Sequence, residues 1–416
     1  MTPPAPLRVN EQRLHEDLVS LGEIGWQPGR GLMRTTFSEA HKDARRWFLD
    51  RAAAAGLHTH VDAAANHSAV LPGPACSRTL LLGSHLDSVP AGGRYDGALG
   101  VLCALEALRS VKDAGIELPV SLEAIDFTDE EGTLVGTLGS WALAGTLTPE
   151  ILAAPRCGRR QLLSELERMQ LSEAGLFAAR RDPQSLLGFL ELHIEQGPML
   201  ERERVQIGIV TGIRGNISFE ITLTGEARHA GTTPLVARRD AGLGAASIML
   251  AVHELLLGEF PGCVANVGDV RLEPGAFNVV PGRARLRLEC RSDNADELER
   301  LAARILDSAR SAVVAHTLDL EIERVGHWAP AATDRRARRA IRNSAEALGL
   351  SFTEMPSGAG HDAQVLADFV PAGMVFVPSV DGISHDPSEH TQWRDCVNGA
   401  NVLVGAALEL ARASER

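Results

Sequence analysis

The sequence predicts an α/β protein with a mostly parallel central sheet flanked by helices, interrupted by a compact α+β insert of four strands and two helices. Three observations lead there. TLLLGS (79–84), GVLCALEALRSV (100–111) and SLEAIDFTDEEG follow one another as strand, helix and strand, the unit of a parallel sheet with helices on its faces. From about residue 212 the character changes to the amphipathic strands NISFEITLTGEA, GCVANVGDVRLEP and RARLRLECRS, with helical stretches at 236–257 and 294–316. Near 330 the first pattern resumes. The expected domains are therefore 1–212 with 329–416, and an insert at 213–328.

Each element has a local cause. After a Pro-rich start, expected to be mobile, SEAHKDARRWFLDRAAAAG (38–56) reads as a helix with Ser38 as its N-cap and Gly56 as its stop. Trp47, Phe48, Ala52 and Ala55 form its apolar stripe. The strand at 79–84 feeds His85, and the helix at 100–111 begins just after Asp96 and Gly97. A polar, helix-forming stretch from about 149 to 188 runs into LLGFLELHIEQGPML, where Glu191, His193 and Glu195 share a face if the segment is extended. After the insert come the helix RRARRAIRNSAEALGL, the loop SGAGHDAQ, the strand AGMVFVPS, the loop DGISHDPSEHT and a final amphipathic helix from about Trp393.

Composition narrows the function. The 416 residues are 44% hydrophobic and 23% charged, enough to bury a large core without covalent staples. A net charge of -13, with Lys42 and Lys112 the only lysines, argues against nucleic acid. The six cysteines (Cys76, Cys103, Cys157, Cys263, Cys290, Cys396) are scattered, without a C-x-x-C pair, and read as reduced thiols. There is no apolar h-region at the start and no unbroken apolar run of the roughly 18 residues that span a membrane. A cytoplasmic protein that engages no membrane is the expectation.

The chemistry centres on GSHLDSVPAGGRYDG (83–97). His85 and Asp87 share a strand face, so one can ligate a metal while the other supports it, and Asp96 has two oxygens with which to bridge two ions. The next strand ends in Asp129, Glu130 and Glu131, three acids whose crowding nearby cations would make favourable. Five separated loops thus offer His85, Asp96, Glu131, His193 and His385 at one sheet edge. Mixed imidazole and carboxylate donors suit Zn, Mn, Co or Ni, and the lack of Cys ligands points to a catalytic site. A bridging Asp with two further ligands per ion would hold two divalent metals roughly 3.5–4 Å apart, a hydrolytic design.

GSHLDSVPAGGRYDG, FTDEEG, ELHIEQGP, ARHAGTTP, NVVPG, SGAGHDA and ISHDPSEHT, in this order, resemble the dinuclear-metal amidohydrolases. These include N-carbamoyl-L-amino acid hydrolase, allantoate amidohydrolase and β-ureidopropionase, within the wider aminoacylase and carboxypeptidase superfamily. The match runs from about residue 12 to 413, and ELHIEQGP is its most discriminating element. The resemblance implies one metal on His85, Asp96 and His193 and another on Asp96, Glu131 and His385, with Asp87 orienting His85. It implies Glu130 as general base and the insert as lid and dimer interface, whose His229 stabilises the oxyanion. Gln196, Asn278, Arg291, Gly360 and His361 match substrate-facing positions, Arg291 being the natural partner of a carboxylate. The implied partners are a small ureido or amide carboxylate substrate and a second copy of the chain.

The implied reaction is hydrolysis of an N-carbamoyl-L-amino acid to amino acid, CO2 and ammonia. Allantoate amidohydrolase is the alternative, followed by β-ureidopropionase, an N-acyl-amino-acid hydrolase and a non-catalytic binding homologue. The chain departs from the family pattern at Trp141, Arg228 and Glu289, none of them a ligand position, and these departures bear on which substrate fits.

Overall fold

The computed structural model describes residues 6–75 and 77–414, and the chain divides into two units, Met1–Thr211 with Ala332–Arg416, and Gly212–Ala331. Cys76 and the first residues of the Pro-rich start lie outside the described residues; the other five cysteines are free thiols.

The segment after the start is ordered. Helix α1 (Glu11–Glu23) is capped by the Asn10 side chain and buries Leu14, Leu18 and Leu21. Arg13 ties it to the buried Glu106 at 2.7 Å. The buried leucines of α1 follow the i, i+4, i+7 spacing of an amphipathic helix. Helix α2 (Glu39–Ala54) starts at Ser38, whose hydroxyl accepts from the His41 amide, and stops before Gly56 at φ +67°.

Strands β1 (His58–Val61), β2 (His67–Leu71) and β3 (Thr79–His85) follow, then helix α3 (Ala98–Asp113), β4 (Ser121–Phe127), three short helices between Pro149 and Ala178, β5 (Leu186–Ile194) and β6 (Ile207–Ile213). The second unit contributes β7 (Gly215–Thr224), α4 (Ala241–Gly258), β8 (Val264–Glu273), β9 (Arg283–Ser292), α5 (Ala295–His316) and β10 (Asp319–Trp328). The chain then returns with α6 (Arg335–Ala347), β11 (Phe352–Ser357), β12 (Ala372–Val377) and α7 (Trp393–Ala413).

The large sheet runs β6-β12-β5-β3-β4-β2-β1, with β11 and the short strand Ala331–Ala332 also on β6. Its four middle strands, β12, β5, β3 and β4, pair in parallel. Outside them β6, β2 and β1 pair antiparallel. The sheet is mixed, which corrects the expectation of a mostly parallel one. The physical reason is legible: the parallel strands are buried on both faces and read as apolar runs, whereas every residue of β1 (HTHV) is exposed.

Helix α3 is buried along Ala98–Val111, and it packs with α1, α7 and the sheet into one core that includes Leu82, Leu105, Leu192, Val375 and Leu403. In the second unit a four-stranded antiparallel sheet, β8-β9-β7-β10, is covered by α4 and α5, with Ile221, Ile248, Leu286 and Ile305 in its core. By length and composition α4 could cross a membrane, with a mean hydropathy of 1.6. One of its faces packs Ala245, Ile248 and Val252 into its own unit's core. Its apolar run is interrupted by His253 and Glu254.

Candidate metal centre

Parallel strands deliver their carboxyl ends to one edge of a sheet, where α/β proteins place their sites. His85 is the last residue of β3, His193 the penultimate residue of β5, and Glu130 and Glu131 follow β4. His385 lies in the loop after β12.

The geometry of these side chains is that of two ligand sets sharing one residue. His85, Asp96 and His193 form one, and Asp96, Glu131 and His385 the other, each with its candidate ligand atoms within 4.8 Å of one another. Asp96 divides its oxygens between them. Oδ1 lies 3.0 Å from His193 Nε2 and 3.6 Å from His85 Nε2, while Oδ2 lies 3.1 Å from His385 Nε2. Glu131 Oε2 is 3.5 Å from the same His385 nitrogen. The donors fit a pair of divalent cations on one further observation. The Nδ1 atoms of His85 and His193 donate to the main-chain carbonyls of Asp87 and Ile194, at 3.0 and 2.9 Å, which leaves both Nε2 atoms facing Asp96.

Asp87 thus orients His85 through its backbone; its carboxylate is 3.7 Å from the ring. That carboxylate instead accepts from the amides of Glu130 and Glu131, at 3.3 and 3.2 Å, and from the Thr36 hydroxyl at 2.9 Å. Asp129 completes the loop. Its carboxylate accepts from the amides of Leu134, Val135 and Gly136, and its Oδ1 shares the single Thr36 hydroxyl proton with Asp87. Thr36 and Asp129 were not among the expected site residues. Thr36 sits in an unremarkable loop, and Asp129 was visible only as one of three consecutive acids.

Backbone conformation explains the glycines and the strain. Gly97 has φ +62°, and a methyl group there would collide with the His85 ring. Asp129, Gln196 and His385 also hold positive φ, a conformation non-glycine residues rarely adopt and one that gathers at functional loops.

The electrostatics are those of a site short of positive charge. Burial first, and then Glu131, Asp362 and the neighbouring aspartates, push the Glu130 carboxyl well above its usual range; burial and Asp96 do the same to Glu131. Burial lowers His193, but Asp96 overrides it and pushes the imidazole up to about 9. The hydrogen bond to Asp96 likewise pushes His385 up to about 9, against burial. Burial takes His85 down to about 4. Protons on His193 and His385 offset the Asp96 charge where cations would do so more fully.

Glu130 Oε2 lies 3.5 Å from His85 Nε2, at the inner side of the first ligand set. Gln196 donates to Asp96 Oδ2 at 2.9 Å, and its own Oε1 is buried without a hydrogen-bond partner. His361 is 2% exposed, bonds Ser357 Oγ through Nε2 at 2.8 Å and packs edge-on against His193. It stands behind His193, not on an open surface. Gly360 precedes it in the loop after β11.

The remaining expected residues belong to the second unit. His229 is exposed on a two-residue strand paired with Val279–Val280, and the Ala230 amide donates to the Asn278 carbonyl, so His229 and Asn278 are neighbours. The Gly231 amide donates to His229 Nδ1, which leaves Nε2 to carry the proton outward. Arg291, on β9, pairs with Glu289 at 2.9 Å, two residues back along the strand.

The chain is similar to known proteins along nearly its whole length. The model of peptidase family M20/M25/M40 matches residues 81–409. An N-carbamoyl-L-amino acid amidohydrolase of Geobacillus stearothermophilus is 36% identical over 97% of this chain and 99% of its own. A ureidoglycolate hydrolase of Arabidopsis thaliana is 34% identical over 98% and 87% of the two chains, and an allantoate amidohydrolase of Bacillus subtilis 33% over 94% and 95%. Among solved structures, an amidase of the hydantoinase/carbamoylase family from Burkholderia multivorans superposes with a TM-score of 0.89 at 36% identity, covering 97% of this chain and 98% of that one. With a family match over most of its length and relatives of this identity along nearly all of it, the chain belongs to peptidase family M20/M25/M40 and is an amidohydrolase acting on C–N bonds.

Proposed function

We propose that the chain hydrolyses the ureido C–N bond of an N-carbamoyl-L-amino acid, releasing the amino acid, CO2 and ammonia, at a centre of two divalent cations (Zn, Mn, Co or Ni). The observation that carries this reading is Asp96, whose two oxygens face two separate histidine and carboxylate sets with Glu130 alongside. Divalent ions bound there supply Lewis acidity toward the ureido carbonyl and acidify water. Glu130 takes the proton of the attacking water and returns it to the leaving nitrogen. Its main-chain N–H is held by Asp87, so the carboxylate approaches from a fixed base.

The second unit acts as lid. His229 presents its Nε2 proton to the oxygen on which negative charge develops. Gln196 Oε1, buried and unpartnered, accepts from a ureido N–H. Asn278 and Arg291 hold the substrate's polar groups, and the Gly360–His361 loop supports His193 from behind. A second copy of the chain covers the exposed face of α4, where Leu243, Leu250 and Leu257 are 48, 64 and 72% exposed, giving a cytoplasmic homodimer.

The relatives named for allantoate and ureidoglycolate make these the next substrates to consider. The test is ammonia release by the purified protein, reloaded with Mn or Zn and compared with a chelated control. The panel holds N-carbamoyl-L-amino acids, N-carbamoyl-β-alanine, allantoate, ureidoglycolate and N-acetyl-amino acids. Metal-dependent ammonia from carbamoyl amino acids supports the reading. Turnover confined to allantoate or ureidoglycolate replaces the substrate, and amino acid released only from the acetyl compounds refutes ureido specificity.

A further inference from the structure

Glu389 lies four residues after His385, and the metal centre as described gives it no part. The residue is 5% exposed, and its carboxylate makes three hydrogen bonds. Oε1 accepts from the main-chain amides of Tyr95, at 2.9 Å, and Asp96, at 3.1 Å. Oε2 accepts from the Ser384 hydroxyl at 2.9 Å, and the same hydroxyl lies 3.0 Å from Asp96 Oδ2. Room for this carboxylate is made on the opposite loop. A methyl group at Gly93 would collide with Glu389 Cβ, Cδ and Oε1.

One side chain therefore staples the loop that carries His385 to the loop that carries Asp96, two segments 293 residues apart. The Asp96 peptide sets where its two oxygens point, and Ser384 touches only the oxygen that faces His385. In the other ligand set His85 and His193 are held by main-chain carbonyls, so only its shared member, Asp96, depends on Glu389.

We propose that Glu389 is a positioning residue that sets the spacing of Asp96 and His385, and with it chiefly the cation affinity of the Asp96, Glu131 and His385 set, Gly93 being bare to admit it. The inference rests on the two-cation reading above. It predicts an asymmetric defect, which a general loss of packing would not give.

The experiment is calorimetric titration of metal-stripped protein with Mn or Zn, alongside thermal unfolding, for the native chain, Glu389→Ala, Glu389→Gln and Gly93→Ala. Native protein should take up two equivalents. Glu389→Ala and Gly93→Ala should keep one equivalent near native affinity and bind the second about 10–100-fold more weakly, the range typical when a residue supporting a ligand is removed. Glu389→Gln should be near native, because its carbonyl oxygen can accept both amides while its NH2 donates to Ser384, freeing that hydroxyl for Asp96. Two equivalents of native affinity in Glu389→Ala overturn the proposal. Equal weakening of both sites with a lower unfolding midpoint also overturns it, by showing a merely structural role. A native chain that takes up no cation removes the two-cation reading and this inference together, a result distinct from either.

Discussion

Replacing Asp129 tests whether the glutamate loop is held by one buried carboxylate. Oδ1 accepts from the Leu134 amide at 2.9 Å and lies 2.9 Å from the Thr36 hydroxyl, whose one proton it shares with Asp87; Oδ2 accepts from Val135 at 2.6 Å and Gly136 at 2.9 Å. Asn tolerates the φ of +60° as Asp does, so Asp129→Asn changes hydrogen bonding with little effect on backbone strain. The amide NH2 is best placed toward Thr36, which can accept from it and still donate to Asp87. Only the Leu134 amide is then orphaned, and the other two bonds lose their charge. At about 1–3 kcal/mol for a buried unsatisfied donor, the local cost is roughly 2 kcal/mol. Asp129→Ala orphans three amides and should cost roughly 5 kcal/mol on the same scale.

Hydrogen exchange of a peptide spanning 129–138 reads this directly. At 1.4 kcal/mol per tenfold, exchange of these amides should accelerate about 30-fold in Asp129→Asn and more than about 1,000-fold in Asp129→Ala. Burial, and then Asp87, raises the Asp129 carboxyl to about 6, so the native contrast should be full near pH 7.5 and shrink below pH 6 as the carboxyl is protonated. Exchange in Asp129→Ala within threefold of native would refute the claim that this carboxylate holds the loop.

Other perturbations probe the centre itself. Glu130→Gln should retain the fold and cation uptake while turnover falls by at least about 100-fold, the lower end of a general base's contribution; normal kcat would remove Glu130 from that role. Gly97→Ala should abolish cation binding at the His85 set by displacing the ring, and an unchanged two-equivalent titration would contradict this packing. Cation uptake should release protons, because His193 and His385 sit at about 9 in the metal-free chain and a cation takes their place. The sign is definite. Their protonated forms stabilise the metal-free fold fully below about pH 6.5 and progressively less as pH rises through 9, so cation affinity should rise over that window. Titration in buffers of different ionisation enthalpy measures the proton count, and a count of zero at pH 7.5 contradicts the assignment.

The amino-acid order alone determined a good deal. It marked α2 with its cap and stop, the buried strands β3, β4 and β12, and the change of pattern near residue 212; β5 it marked only on the condition that the segment is extended. It also picked out His85, Asp96, Glu131, His193 and His385, because chemically loaded residues at the ends of apolar strands must share an edge when the strands are parallel. Tertiary structure decided what depends on long-range pairing. The short polar strand β1 has no apolar period of its own, and it exists because β2 offers a hydrogen-bonding edge. The orientation of His85 is settled by a main-chain carbonyl, an acceptor every residue carries and no sequence can distinguish. Thr36, Asp129 and Glu389 act on residues as far as 294 positions away, and only the closed fold brings their oxygens within hydrogen-bond reach of the loops they hold.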